Sequence, residues 1–287
     1  MNPNGSVHVD ISRSDVLVCH KYSIPVSQSV FSDELNGSDM ASRVIVERDV
    51  LFREFEDRTL RLDTYRPAET DSNPAIVYVH GGAWRAGSKG QFSRYAVEFA
   101  DRGYVGINPN YRLAPDATMA EMVADVRAGI DWCHEHAESL GVDPDRIAVA
   151  GHSAGAHLAA LAALAAPEFT GDDSAPPIAA LIAFSGVYDV RAEKYAPLVG
   201  DRPDAAARSS PITWVDGGAP PTFLGHAVDD ETVPIDETDA FYEELLSAGI
   251  PADRFRADGG GHTFLYDDMG WYEETTERLA DFLDRHL

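Results

Sequence analysis

The chain has 287 residues, 44% of them hydrophobic, which suffices for a large core in a single α/β domain. Its 48 Asp and Glu against 23 Lys and Arg leave a formal net charge of −25, which excludes the basic surface that nucleic acid requires. No apolar run reaches the length of a membrane span, and two cysteines, Cys19 and Cys133, cannot build a disulfide framework.

Lysine occurs only at Lys21, Lys89 and Lys194. So acidic a surface repels itself at low salt and is relieved by screening, so a halophilic adaptation is expected. Met1 to Ser14 is polar and lacks the basic-then-apolar pattern of a signal peptide, so a cytoplasmic protein is the simplest expectation.

Residues 1–42 are mixed in texture, with turn signals at Asn4-Gly-Ser6 and Asn36-Gly-Ser38. They form either an N-terminal arm or part of a lid over the site. From residue 43 to 287 the pattern is that of one catalytic domain. Arg43 to Leu51 and Thr59 to Tyr65 alternate apolar and polar residues, as two paired strands would. Ala75 to Val79 is an apolar run expected of a strand buried on both faces. A helix over Gln91–Arg102, a strand over Tyr104–Asn108 and a helix over Met119–Leu140 follow, the helices stopped by Gly103 and Gly141. Arg146–Ala150 is a strand and Ala156–Ala166 a helix. Further strands are expected at Ile178–Phe184, Thr222–Gly225 and Asp253–Ala257, with helices at Glu237–Ala248 and Tyr272–His286. Strands alternating with helices predict an α/β fold: a mostly parallel central sheet with helices on both faces, its site at the carboxyl ends of the strands. The edge at the last strand is where a second copy would pair to give a homodimer.

The stretch Ile147-Ala-Val-Ala-Gly-His-Ser-Ala-Gly155 places Gly-x-Ser-x-Gly between a strand and a helix. A turn that tight leaves no room for side chains two residues either side of Ser153, and it exposes the serine oxygen as a nucleophile. Serine needs a base to take its proton, and the base needs an acid to orient it. His262, after three glycines and the last strand, is the candidate base. Asp230 is the candidate acid, with Asp229 and Glu231 beside it as alternatives; Asp189 is a further alternative, expected rather to be a structural hydrogen-bonding residue. The oxyanion requires backbone N–H donors, and His80-Gly-Gly-Ala-Trp84 after a strand suits that role. Gly82, Ala83 and Ala154 are the candidate donors, with Gly81 able to replace one of them. His80 is expected to orient the loop. Trp84 and His152 are candidate substrate-binding residues that pack beside or line the elbow. Tyr111 and Arg112 are expected to tie their loop to the oxyanion loop. Cys133-His-Glu-His136 has the residue types of a metal cluster, but its two histidines fall on different faces of a helix, so no metal is expected.

Gly-His-Ser-Ala-Gly, His-Gly-Gly-Ala-Trp, Asn-Tyr-Arg-Leu-Ala-Pro and Gly-Gly-His-Thr-Phe, in that chain, resemble the α/β-hydrolase superfamily. Specifically, the chain looks like the esterase/lipase branch related to hormone-sensitive lipase, with its carboxylesterases, feruloyl and acetylxylan esterases and kynurenine formamidases. The resemblance covers about residues 43–287. It implies Ser153 as nucleophile, Asp230 as acid, His262 as base, and an oxyanion hole at Gly82, Ala83 and Ala154. Ala83 stands where the commoner motif has a third glycine, and Asn110 where lipase-like relatives carry Asp. The expected activity is hydrolysis of short-chain carboxylic esters, small-molecule substrates, through an acyl-enzyme without any cofactor. Arylformamidase activity and a non-catalytic hydrolase-fold binding protein are the alternatives.

Overall fold

The computed structural model describes residues 15–18, 43–69, 71–171, 178–199 and 204–287. Among the described residues nine strands form one sheet: β1 (Asp15–Val18), β2 (Arg43–Glu54), β3 (Thr59–Pro67), β4 (Asn73–Val79), β5 (Val105–Pro109), β6 (Val142–His152), β7 (Ala180–Phe184), β8 (Thr222–Ala227) and β9 (Ala252–Ala257). Their order is β1-β2-β3-β5-β4-β6-β7-β8-β9. The first pairings, β1 with β2, β2 with β3 and β3 with β5, are antiparallel; every pairing from β5 to β9 is parallel. Of the N-terminal arm, Asp15–Val18 pairs with β2 at the sheet edge, and the other residues up to 42 lie outside the described residues.

Five longer helices cover the sheet: α1 (Ser93–Asp101), α2 (Met119–Glu135), α3 (Ala154–Leu164), α4 (Asp236–Ser247) and α5 (Met269–His286). Alternation along the strands supplies two cores. Ala75, Val77 and Val79 of β4 face the core shared with α2, α3 and α4, whereas Ile76 and Tyr78 face the core shared with α1 and α5. Helix α3 is buried on every side along Ala154–Ala162, which is why its sequence is almost wholly small and apolar.

The expected helix over 119–140 is divided. Helix α2 ends at Glu135, and a separate turn, Ala137–Leu140, runs to Gly141 in the left-handed region (φ 68°). At the break both the N–H and the Nδ1–H of His136 donate to the carbonyl of Trp132. Helix α3 starts two residues earlier than the Ala-rich run indicates, directly after Ser153.

The chain leaves β4 toward β5 and leaves β6 toward β7, in opposite directions across the sheet. A crevice forms at the carboxyl ends of such a strand pair. The loop after β4 and the turn after β6, which carry His80–Trp84 and Ser153, therefore lie side by side.

Candidate active site

Ser153 sits at the corner between β6 and α3 with φ 55° and ψ −120°. A serine held there costs about 1–3 kcal/mol that the surrounding packing must offset. Its N–H donates to the Phe184 carbonyl at 2.8 Å. Close backbone approach explains the two flanking glycines. A Cβ on Gly151 would lie 2.3 Å from the Gly155 carbonyl oxygen, and one on Gly155 would lie 2.1 Å from that of Val79. Only hydrogen fits at either position.

His262 lies in a short 3-10 turn, Gly261–Thr263, entered through Gly260 and Gly261 in the left-handed region. This loop follows β9 and brings the imidazole back to the elbow. The Ser153 hydroxyl faces His262 Nε2 at 2.9 Å, and His262 Nδ1–H donates to Asp230 Oδ2 at 2.7 Å. Asp230 is buried, and burial pushes its carboxyl up. Hydrogen bonds from His226, His262 and the Val233 N–H outweigh that cost and hold the carboxyl well below the usual carboxylate range. Asp229 takes a different role: its Oδ1 accepts the Gly261 N–H at 2.9 Å, fastening the histidine loop. Asp189 pairs with Arg191 away from His262.

Gly82, Ala83 and Trp84 all have positive φ, at 121°, 52° and 62°, which turns the backbone amides of this loop. Among the described residues, the N–H groups of Gly82, Ala83 and Ala154 meet no acceptor. The Gly81 N–H is already engaged, donating to Gln91 Oε1 at 2.5 Å. His80 is buried and stacks on Tyr111 with ring centroids 4.2 Å apart, while the Tyr111 hydroxyl donates to the His80 carbonyl at 2.9 Å. Burial lowers the His80 imidazole to about 4, so it braces the loop as a neutral ring. Arg112 corrects the sequence expectation. Its guanidinium turns away to Asp125 (2.7 Å) and Glu121 (3.0 Å) on α2, leaving Tyr111 and the Ala114 N–H to Trp84 carbonyl bond (2.8 Å) to tie the two loops.

The indole of Trp84 is 5% exposed and lies in the core. Its Nε1–H donates to His157 Nδ1 at 3.2 Å, and His157 Nε2–H donates to the Ser209 carbonyl at 2.7 Å. His152 is buried beside the nucleophile, its ring 4.8 Å from that of His262, and its Nε2–H donates to the His262 carbonyl at 2.7 Å. Burial lowers the His152 imidazole to about 3. Both side chains contact the frame of the site. Sequence reasoning missed His226, His157 and Gln91, whose partners lie on other elements. The spacing His226-x-x-x-Asp230 was the one local signal available. Cys133 is buried, its thiol pushed up to about 12, and among the described residues no group of three metal-ligating side chains gathers. No helix among them is long and apolar enough to cross a membrane.

Hydroxyl, imidazole and carboxylate in line, beside amides without acceptors, form an arrangement suited to acyl transfer. Comparison with known proteins agrees with this chemistry. The BD-FAE family model matches residues 62–245. A probable isoprenylcysteine alpha-carbonyl methylesterase, ICMEL1 of Oryza sativa subsp. japonica, is 34% identical over 238 residues, covering 72% of this chain and 55% of that protein. The chain spans about half the length of the curated relatives it matches first. Among solved structures, the butyrate-bound Est2 esterase of Thermogutta terrifontis aligns with a TM-score of 0.74 and 29% identity, covering 84% of this chain and 94% of that one. The same esterase phosphorylated by paraoxon aligns with a TM-score of 0.75 and 31% identity, covering 83% and 93%.

Proposed function

The chain belongs to the BD-FAE family of α/β hydrolases, and on that premise we propose that it is a serine carboxylesterase acting on short-chain esters. The observation that carries this reading is the line from Ser153 Oγ through His262 to Asp230 Oδ2, with spans of 2.9 and 2.7 Å. His262 takes the Ser153 proton as the oxygen attacks the ester carbonyl. The amides of Gly82, Ala83 and Ala154 receive the oxyanion, and the imidazolium, held by Asp230, protonates the leaving alcohol. Water then attacks the acyl-enzyme with His262 as base, releasing the acid and restoring Ser153.

Short acyl chains are supported by the similar esterase solved with butyrate bound. Its phosphorylation by paraoxon supports a reactive nucleophile in the same fold. The formal net charge of −25 supports a protein adapted to high salt, which is tested by comparing unfolding midpoints in salt-free and molar-salt buffer.

The test is hydrolysis of p-nitrophenyl acetate and its longer homologues, at low and molar salt, beside Ser153→Ala. Turnover of the acetate that disappears in the variant is expected. A folded wild-type protein inert toward every ester, or a variant with undiminished turnover, would refute the proposal. A preference for long-chain over short-chain esters would refute its substrate class.

A further inference from the structure

Asp230 Oδ2 receives two imidazoles. His262 Nδ1 lies 2.7 Å away on one side, and His226 Nε2, from β8, lies 3.0 Å away on the other. His226 is wholly buried, and hydrogen bonding fixes its tautomer. Its Nδ1 lies 2.7 Å from the Thr238 hydroxyl, which can donate to it. Its Nε2 faces two acceptors, Asp230 Oδ2 and the Val233 carbonyl, each at 3.0 Å, so the proton belongs on Nε2. The other carboxylate oxygen, Oδ1, accepts the N–H groups of Thr232 (2.8 Å) and Val233 (2.9 Å).

We infer that His226 is a positioning residue for the triad acid, its Nε2–H pinning Oδ2 of Asp230 so that the carboxylate stays ionised and aimed at His262. This inference rests on the proposed hydrolase reading. A turn about the Cβ–Cγ bond moves both oxygens together, so the two backbone donors resist it at Oδ1 and the second imidazole resists it at Oδ2.

The charged groups around the pair act elsewhere. Glu237 of α4 accepts the N–H groups of Tyr188 and Asp189. Arg256, the register partner of His226 on β9, binds Asp239, and Asp229 holds Gly261. His152, against the His262 ring, is kept neutral by burial. Apart from His262, His226 is thus the one imidazole that touches the acid among the described residues.

The experiment uses the full chain labelled with 15N-histidine and 13C-aspartate, with His226→Phe and His226→Gln beside the wild type. In the wild type, His226 should carry its proton on Nε2; a proton on Nδ1 would overturn the inference without any variant. In His226→Phe, the Asp230 carboxyl should titrate at least about one pH unit higher. Its kcat for p-nitrophenyl acetate should fall about tenfold with KM nearly unchanged. His226→Gln, which keeps an N–H donor, should recover most of both. Unchanged titration in His226→Phe, or no recovery in His226→Gln, would overturn the inference. The NMR readouts need no turnover. A wild type that shows them yet hydrolyses no ester would sink the proposed activity and leave the role of His226 standing.

Discussion

The N–H of Gly81 donates to the side-chain oxygen of Gln91, 2.5 Å away at the entry to α1. This bond occupies the Gly81 N–H and fixes the peptide plane just before Gly82 and Ala83, the proposed oxyanion donors. Gln91→Ala should therefore lower kcat by about tenfold, because the amides that follow lose their aim. Gln91 is exposed, so the unfolding midpoint should move little. Steady-state kinetics and urea titration of the same preparation check both halves, and an unchanged kcat would count against this placement of the donors.

Gly155 and Gly217 should respond very differently to the same added methyl group. A Cβ on Gly155 meets the Val79 carbonyl oxygen at 2.1 Å, backbone that cannot step aside, whereas Gly217 has nothing within 4 Å. Gly155→Ala is expected to cost about 3 kcal/mol or more, and Gly217→Ala to stay within about 0.5 kcal/mol of the wild type. Thermal unfolding of the two variants is the measurement.

Adjacent carboxylates give a third contrast. Asp230 meets the imidazole, while Asp229 only fastens the Gly261 amide. Asp230→Asn should reduce kcat by about 10³–10⁴-fold, and Asp229→Ala by less than about tenfold. Rates for p-nitrophenyl acetate decide the matter, and equal losses would contradict the assignment.

Acid should weaken the fold in a window above the carboxylate range. His80 and His157 are lowered by burial to about 4, and His152 to about 3. In the unfolded chain the same rings titrate near 6.5, so between those values the unfolded state binds more protons and stability falls as pH drops. The stability is fully present above about pH 6.5 and lost as pH falls toward about 4. Asp230, also depressed, adds its own loss only below the ordinary carboxylate value of 3.8. Urea midpoints at pH 7.5 and pH 5, in molar salt to screen the surface, should show a clear decline; a flat response would contradict it.

Much of this site is local in sequence and was legible there. Ser153 and Gly151 are read from a backbone contact five residues long, Gly151 against Gly155, and His262 from the glycines that let its loop bend. The unbroken apolar run Ala75–Val79 announces a core on each side of the sheet, because successive side chains alternate faces by geometry alone. His157 and Gln91 were not legible, since each matters through a partner that only folding brings near, whereas His226 had a local signal in its four-residue spacing to Asp230 that went unread. Arg112 shows the opposite difficulty. Its neighbour Tyr111 does bind the oxyanion loop, but the longer arginine side chain reaches a buried carboxylate, Asp125, that no spacing in its own loop reveals.

The bonds from Trp84 through His157 to Ser209 join the oxyanion loop to the short helical turns at 205–214. A change in residues 204–214 that shifts the Ser209 carbonyl is passed through His157 to Trp84, the chain neighbour of Ala83. The seating of that segment and the aim of the proposed oxyanion donors are thus mechanically geared together. A library randomised at 204–214 would yield rate changes, unless His157 is held constant and the Ser209 carbonyl stays in place.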